Sequence, residues 1–230
     1  YYAVNHNRAP FDDRRVREAL SLAIEREAIA DKVLKTGELP GYSFVPPGTG
    51  NYGEPTYVPW KDMPYKDRVA RAKALLQEVG FGPAKPLRLT LKYNTSENHK
   101  RIAVAIQSMW KQLGVQAELF NSEVKVHYNY LEENDFDVAR VGWIADYNDP
   151  QNFLFLLQTS TGKLNYGRFS NPEYDRLMEQ ASRTNALQAR AGILRRAEAL
   201  AMAETAAIPI YYYVSKNLVQ RYVKGWEPNT

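Results

Sequence analysis

The stretch Asp135–Phe153 (DFDVARVGWIADYNDPQNF) places an arginine, an indole and a carboxylate, Arg140, Trp143 and Asp146, within seven residues. Before them Phe136, Val138, Ala139 and Val141 read as a strand, and Gly142, Ile144 and Ala145 are interleaved with them. That mixture suits neither plain core nor plain surface, because arginine is rarely buried without a partner. Open α/β sheets place their ligand crevice just past strand ends, and there these residues can hold a zwitterionic, partly apolar ligand. The Asp146 carboxylate is a natural partner for an ammonium group. The planar fork of Arg140 receives a carboxylate. Trp143 supplies a flat apolar wall, and Gly142 lets a backbone come close. Each residue also has a structural alternative: a turn for Asp146, an ion pair with Asp135 or Asp137 for Arg140, core packing for Trp143, a bulge for Gly142.

His99 stands in the first turn of a helix that follows YNTSEN. There it can donate a hydrogen bond to a carboxylate, since anions are favoured at helix N-termini; the alternative is an exposed helix position. Tyr211, Tyr212 and Tyr213 alternate across two faces of a strand. One face should be core, and a hydroxyl on the other could reach a ligand. Enzyme constellations are missing: HExxH, P-loop, GxSxG and GxGxxG do not occur. His6, His99 and His127 lack metal-ligand spacing, and only proximity in sequence joins Asp135, Asp137, Asp146 and Asp149 into an acid–base pair. The reading is of a binder without cofactor or metal, not an enzyme.

The elements that must position these residues follow from periodicity. Asp12 or Asp13 caps a first helix whose Val16, Ala19, Leu20, Ala23 and Ile24 form one apolar face. A second helix runs through Ile29 and Val33. A long Pro- and Gly-rich loop, Thr36 to Pro64, follows, and such loops are often functional. Helix returns from Lys66 to Val79; Leu87, Leu89 and Leu91 alternate as a strand; Ser96 caps a helix burying Ile102, Ile106, Met109, Trp110 and Leu113; Val115 to Phe120 is a strand. A helix from Ser122 or Glu123 to Glu133 leads into the Arg140 strand. Asp149-Pro150 and Asn171-Pro172 start helices, Leu187 to Glu204 is a further one, and AIPIYYYVSKNLV reads as strand, turn, strand, closing an edge of the sheet. Alternation of strands and helices through the middle gives an α/β domain with a mostly parallel or mixed sheet flanked by helices.

Composition narrows the partners. The chain has 230 residues, 44% apolar and 24% charged, with a net charge of +4 spread in both signs. No run of like charges argues for nucleic acid. No apolar run reaches the ~18 residues that span a bilayer. The absence of cysteine excludes disulfides and thiolate chemistry. Sixteen tyrosines are more than usual, and tyrosine is favoured where surfaces meet ligands. The opening YYAVNHNRAPF reads as a strand running into a turn, as if cut from something longer.

Four segments, NHNRAPFDDRRVREALSLAIEREAI, YNTSENHKRIAVAIQSMWKQLGV, DFDVARVGWIADYNDPQNF and AIPIYYYVSKNLV, resemble in this order the C-terminal half of the oligopeptide-binding proteins of bacterial ABC importers. These are family 5 extracellular solute-binding proteins. The resemblance implies a class II periplasmic-binding-protein-like lobe over residues 1–230, with the N-terminal partner lobe absent. It implies a monomer, periplasmic or lipid-anchored outside the cytoplasmic membrane, that delivers an oligopeptide to an ABC importer permease. Residue by residue, it puts Asp146 on the ligand's α-amino group and Arg140 and His99 near its carboxylate. Gly142, Trp143 and Ile144 then line side-chain pockets or pair with the peptide backbone, and Tyr213 adds a wall or hydroxyl. The chain departs from well-studied members at Leu131, where they carry a second arginine, at Val124, where they carry a pocket tryptophan, and at Ile144, which is cysteine in some. Peptide length and one pocket are therefore open. A murein peptide or dipeptide is the alternative ligand, and a carboxylate-based hydrolase the remote one.

Overall fold

Leu89 and Leu91 point into the core from a strand, β3 (Arg88–Asn94), whose burial alternates in its first half and is continuous in its second. A computed structural model describes residues 1–227. In it β3 leads through α4 (Glu97–Lys111) to a parallel neighbour, β4 (Gln116–Ser122), in register from Arg88↔Gln116 to Asn94↔Ser122. The chain returns through α5 (Val124–Glu132) to β5 (Val138–Arg140), parallel to β3 on its other side. The first strand, β1 (Tyr2–Val4), closes the far side antiparallel to β5, pairing Tyr2 with Arg140. The sheet is mixed, in the order β1-β5-β3-β4. β3 and β5 lie side by side but send their chains to opposite sides, the arrangement that opens a crevice at the strand ends.

Helices cover the sheet as periodicity predicts. α1 (Arg14–Leu22) is capped by Asp13, whose carboxylate accepts the Arg15 N–H at 2.8 Å, and its apolar face is fully buried. α3 (Tyr65–Glu78) packs on α1, and α4 buries Ile102, Ile106 and Trp110. The Trp110 indole N–H satisfies the Leu20 carbonyl at 2.9 Å, tying α4 to α1. α6 (Gln151–Leu154) is a single turn, while α7 (Pro172–Ser182) and α8 (Leu187–Ala203) pack together.

Three expectations change. The second helix is a short α2 (Arg26–Ala28) that widens into a π turn over Ile29–Leu34, ended by Lys35 in the left-handed region. The long loop carries a short strand, β2 (Leu39–Pro40). The C-terminal region is not strand, turn, strand: only β6 (Tyr211–Tyr212) forms, and it pairs with β2 in a separate two-stranded sheet. Ile208 makes one bridge to Tyr2 on the sheet edge. Beyond it the chain turns to the long loop, where the Ile210 carbonyl accepts the Gly41 N–H at 2.9 Å.

Candidate functional site

The C-terminal ends of β3 and β5 open into a cleft of about 220 Å³. Its walls come from Tyr1 and Tyr2, from Ser43, Phe44 and Pro46 of the long loop, from His99 and Ile102 on α4, from Arg140 to Ala145, and from Pro209 to Tyr213. Six of the seven residues singled out in the sequence, Arg140, Gly142, Trp143, Ile144, His99 and Tyr213, line it together. The seventh, Asp146, is the next residue beyond that lining and is exposed.

Arg140 is half-buried at the end of β5, and Asp135 and Asp137 are not its partners. Asp137 takes Arg8 at 3.0 Å and the Thr90 N–H at 2.8 Å, while Asp135 takes Lys92 and Arg8 at 3.4 Å each. The guanidinium instead donates to the Asn94 side-chain oxygen at 3.2 Å and to the Tyr213 hydroxyl. No carboxylate pairs with it among the described residues. Two neutral acceptors therefore aim a cation into an otherwise apolar cleft.

Gly142 has a packing reason of its own to be glycine. A Cβ there would stand 2.6 Å from Arg140 Nη2, 3.2 Å from its Cζ and 3.2 Å from the Tyr213 hydroxyl. Its missing side chain makes room for the arginine to fold back, which is a different service from close approach of a ligand backbone.

His99 donates from Nδ1 to the Asn94 carbonyl at 3.1 Å, since that oxygen can only accept. Burial, helped by the charge of Arg140, lowers its pKa to about 4. The neutral ring therefore presents a lone pair at Nε2. It becomes the carboxylate donor expected from the sequence only when it takes up a proton. Asn94, the last residue of β3, serves both Arg140 and His99. His127 lies behind them, buried, its Nε2 donating to the Arg140 carbonyl at 2.7 Å, and burial lowers its pKa as well.

From Gly142 to Asn148 the backbone belongs to no helix or strand. Asn152, buried on α6, holds it: its side-chain oxygen accepts the Trp143 indole N–H at 3.0 Å and the Asp146 backbone N–H at 3.1 Å. Trp143 meets Phe155 edge-on at 5.6 Å. Asp149 is held by Arg190 through two bonds, at 2.6 and 2.8 Å, and Asn148 accepts the Gly50 N–H at 2.7 Å. Ile144 projects 80% exposed. The Asp146 carboxylate has no hydrogen-bond or ion-pair partner among the described residues. Of the four clustered acids, Asp135, Asp137 and Asp149 are committed to neighbouring cations, which leaves Asp146 alone available.

All three tyrosines reach the cleft wall, and none is a core residue. The Tyr212 hydroxyl packs on Ser43, accepting its N–H at 2.9 Å, while Tyr211 and Tyr213 stack edge-on at 5.3 Å on the cleft side. Sequence reading missed Asn94, Asn152 and the loop residues Ser43, Phe44 and Pro46. Only the length and proline content of the loop signalled the last three. No group of His, Cys, Asp and Glu suited to a metal occurs among the described residues, and no described helix is long and apolar enough to cross a membrane.

Known proteins share this frame. A family model for bacterial extracellular solute-binding proteins, family 5 Middle, matches residues 1–165. The periplasmic murein peptide-binding protein MppA of Escherichia coli K12 is 44% identical over 230 residues, covering 100% of this chain and 42% of that protein. The periplasmic oligopeptide-binding protein OppA of Salmonella typhimurium LT2 is 39% identical, covering 98% of this chain and 41% of that protein. The structure of Haemophilus influenzae OppA in complex with RPPGFSPFR matches with a TM-score of 0.92 at 35% identity, over 98% of this chain and 44% of that one. The chain thus spans about two fifths of the length of these relatives. With the match running over most of its length and its α/β architecture shared with periplasmic binding proteins, the chain belongs to family 5 of the bacterial extracellular solute-binding proteins.

Proposed function

We propose that this chain is one lobe of a two-lobed extracytoplasmic receptor that binds oligopeptides for ABC-type import. The observation that carries the reading is a pair of opposite charges that, among the described residues, no oppositely charged side chain neutralises. Arg140 stands at one end of the segment 140–146 and Asp146 at the other, with Gly142, Trp143, Ile144 and Ala145 between them. A peptide offers the complementary pattern: an ammonium, a carboxylate, and side chains that vary between them. A receptor for many peptides should fix the termini by charge and leave the side chains to roomy walls. His99 and Tyr213 complete the carboxylate end, and Gly142, Trp143 and Ile144 the walls.

The partner lobe supplies the other side of the cleft, and ligand shifts an open–closed equilibrium between the lobes. The receptor acts as a monomer in the periplasm, or lipid-anchored outside the cytoplasmic membrane, and hands its ligand to an ABC importer permease without chemical change. A second reading, a murein peptide as ligand, is supported by the 44% identity to the protein so named. It uses Asp146 equally, since such a ligand also carries an ammonium.

The test is native mass spectrometry of the complete two-lobed protein purified without denaturation. A ladder of co-purified masses matching peptides is expected. A single mass of murein-peptide composition selects the second reading. An empty cleft that ignores a peptide mixture refutes both.

A further inference from the structure

α8 carries an apolar stripe, Leu194, Ala197, Ala201 and Met202, and in the middle of it a glutamate. Glu198 is fully buried. No cation pairs with it among the described residues; four donors surround it instead. Its Oε1 accepts the backbone N–H groups of Phe44 at 2.9 Å and Val45 at 2.7 Å. Its Oε2 accepts the Tyr52 hydroxyl at 2.7 Å and the Thr56 N–H at 2.8 Å. One turn earlier, Arg195 donates to the Tyr52 carbonyl at 2.6 Å and its own carbonyl accepts the Thr56 hydroxyl at 3.1 Å. Every donor belongs to the long loop between β2 and α3.

A carboxylate without a counter-ion in the core is costly unless its oxygens are fully hydrogen-bonded. A leucine in the same stripe would stabilise the helix packing at no such cost. What the carboxylate adds is a fixed path for a loop that has almost no backbone ladder of its own. That path matters at two places. Ser43, Phe44 and Pro46 line the cleft, and Phe44 and Val45 are the residues whose N–H groups the carboxylate holds. Farther along, Gly50 donates to Asn148 at 2.7 Å, so close that a Cβ on Gly50 would stand 2.9 Å from the Asn148 carbonyl. The loop so bridges α8 and the segment from Gly142 to Asn148 that contains Asp146.

We propose that Glu198 is a positioning residue: it clamps the loop 43–56 and thereby sets the Phe44–Pro46 wall that decides which ligand side chains the cleft admits. The proposal rests on the reading of the cleft as a peptide site. It separates side-chain selection, set by Glu198 from a distance, from terminus capture, set by Arg140 and Asp146 directly.

The test measures affinities of the complete two-lobed protein and its Glu198→Gln variant for alanine tripeptides carrying Phe or Gly at each position in turn. A glutamine amide nitrogen cannot accept, so it cannot replace the second oxygen. The wild type is expected to discriminate Phe from Gly at one position at least. The variant should narrow that ratio by about fivefold or more while affinities at the other positions stay within about twofold. A merely destabilised fold would lower all of them in parallel, and parallel loss overturns the proposal, as does an unchanged ratio or a wild type that does not discriminate. If Glu198→Gln does not fold, Tyr52→Phe removes one of the four donors with little change of shape and should narrow the same ratio by about twofold; no narrowing overturns the proposal. A wild type that binds no peptide at all sinks the reading of the cleft and the proposal with it, whereas binding with an unchanged ratio sinks the proposal alone.

Discussion

Replacing Gly142 by alanine should disable the carboxylate end of the site while leaving the fold intact. The added Cβ would lie 2.6 Å from Arg140 Nη2 and 3.2 Å from both its Cζ and the Tyr213 hydroxyl. These contacts fall inside the roughly 3.5–4.0 Å at which non-bonded atoms rest. What it meets is the far end of a flexible arginine, so the guanidinium moves and the backbone does not. In moving it gives up Asn94, at 3.2 Å, and Tyr213. A charge-assisted hydrogen bond contributes about 1.5–3 kcal/mol. Arg140 is half-exposed, and solvent screening reduces that to about 1–2 kcal/mol, a factor of about 5–30 in affinity. Titration calorimetry of the two-lobed protein with trialanine and with its C-terminal amide isolates this contribution. The wild type should favour the free acid. Gly142→Ala should shrink that preference by the stated factor and leave affinity for the amide within about twofold, with a melting temperature lowered by no more than about 2 °C. An undiminished preference for the free acid would show that Arg140 does not depend on Gly142, or does not hold the carboxylate, and either refutes the reasoning.

Asp146→Asn should weaken free-amine peptides by about tenfold or more, spare N-acetylated ones, and leave the melting curve unchanged because Asp146 is exposed and unpartnered; equal affinity for both peptide types before and after substitution removes it from the site. His99 is held near pKa 4 by burial and by the charge of Arg140. A ligand carboxylate at Nε2 raises that value, so the complex binds more protons than the free protein and affinity for free-acid peptides should climb as pH falls from about 7 to about 5. Glutamine donates at every pH, so His99→Gln should flatten that profile, and a wild-type profile already flat contradicts the assignment. Asn152→Leu strands the Trp143 indole N–H and the Asp146 N–H, and should cost about 1–3 kcal/mol of stability with a shift in Trp143 fluorescence, whereas Asn152→Asp, which keeps an acceptor, should retain most of both; a stable leucine variant with unchanged emission would deny Asn152 its role.

Most local signals in the sequence held, although Ser96 stands at the N-cap of α4 without a side-chain capping bond. Asp13, Glu123 and Asn171 cap helices through their own side chains, and the apolar spacing of α1 and α4 gives the buried faces. Arg140, Trp143 and Asp146 stood out because their types conflict with the apolar run, Phe136 to Val141, that leads into them. The parts left unread depend on chain segments far apart. Asn94 acquires its role only when β5 is laid beside β3, and Asn152 only when α6 folds under the segment before it. Glu198 did leave a trace, a charge inside an apolar helical stripe, but its partners lie more than 140 residues away. The C-terminal strand has the same cause: Tyr211 and Tyr212 find their partner in β2, far back in the chain, and not on the edge of the main sheet.

The segment from Gly142 to Asn148, whose first four residues line the cleft, lies wholly outside the hydrogen-bonded sheet, held by Asn152, by Gly50 through Asn148, and by the Arg190–Asp149 pair just beyond. Mutation can therefore rewrite its composition without disturbing strand registry, and the frame can be inherited while ligand preference drifts. Single substitutions in this segment and its few supports are accordingly where a laboratory should look first when retargeting the scaffold as a sensor, with Trp143 already in place to report occupancy.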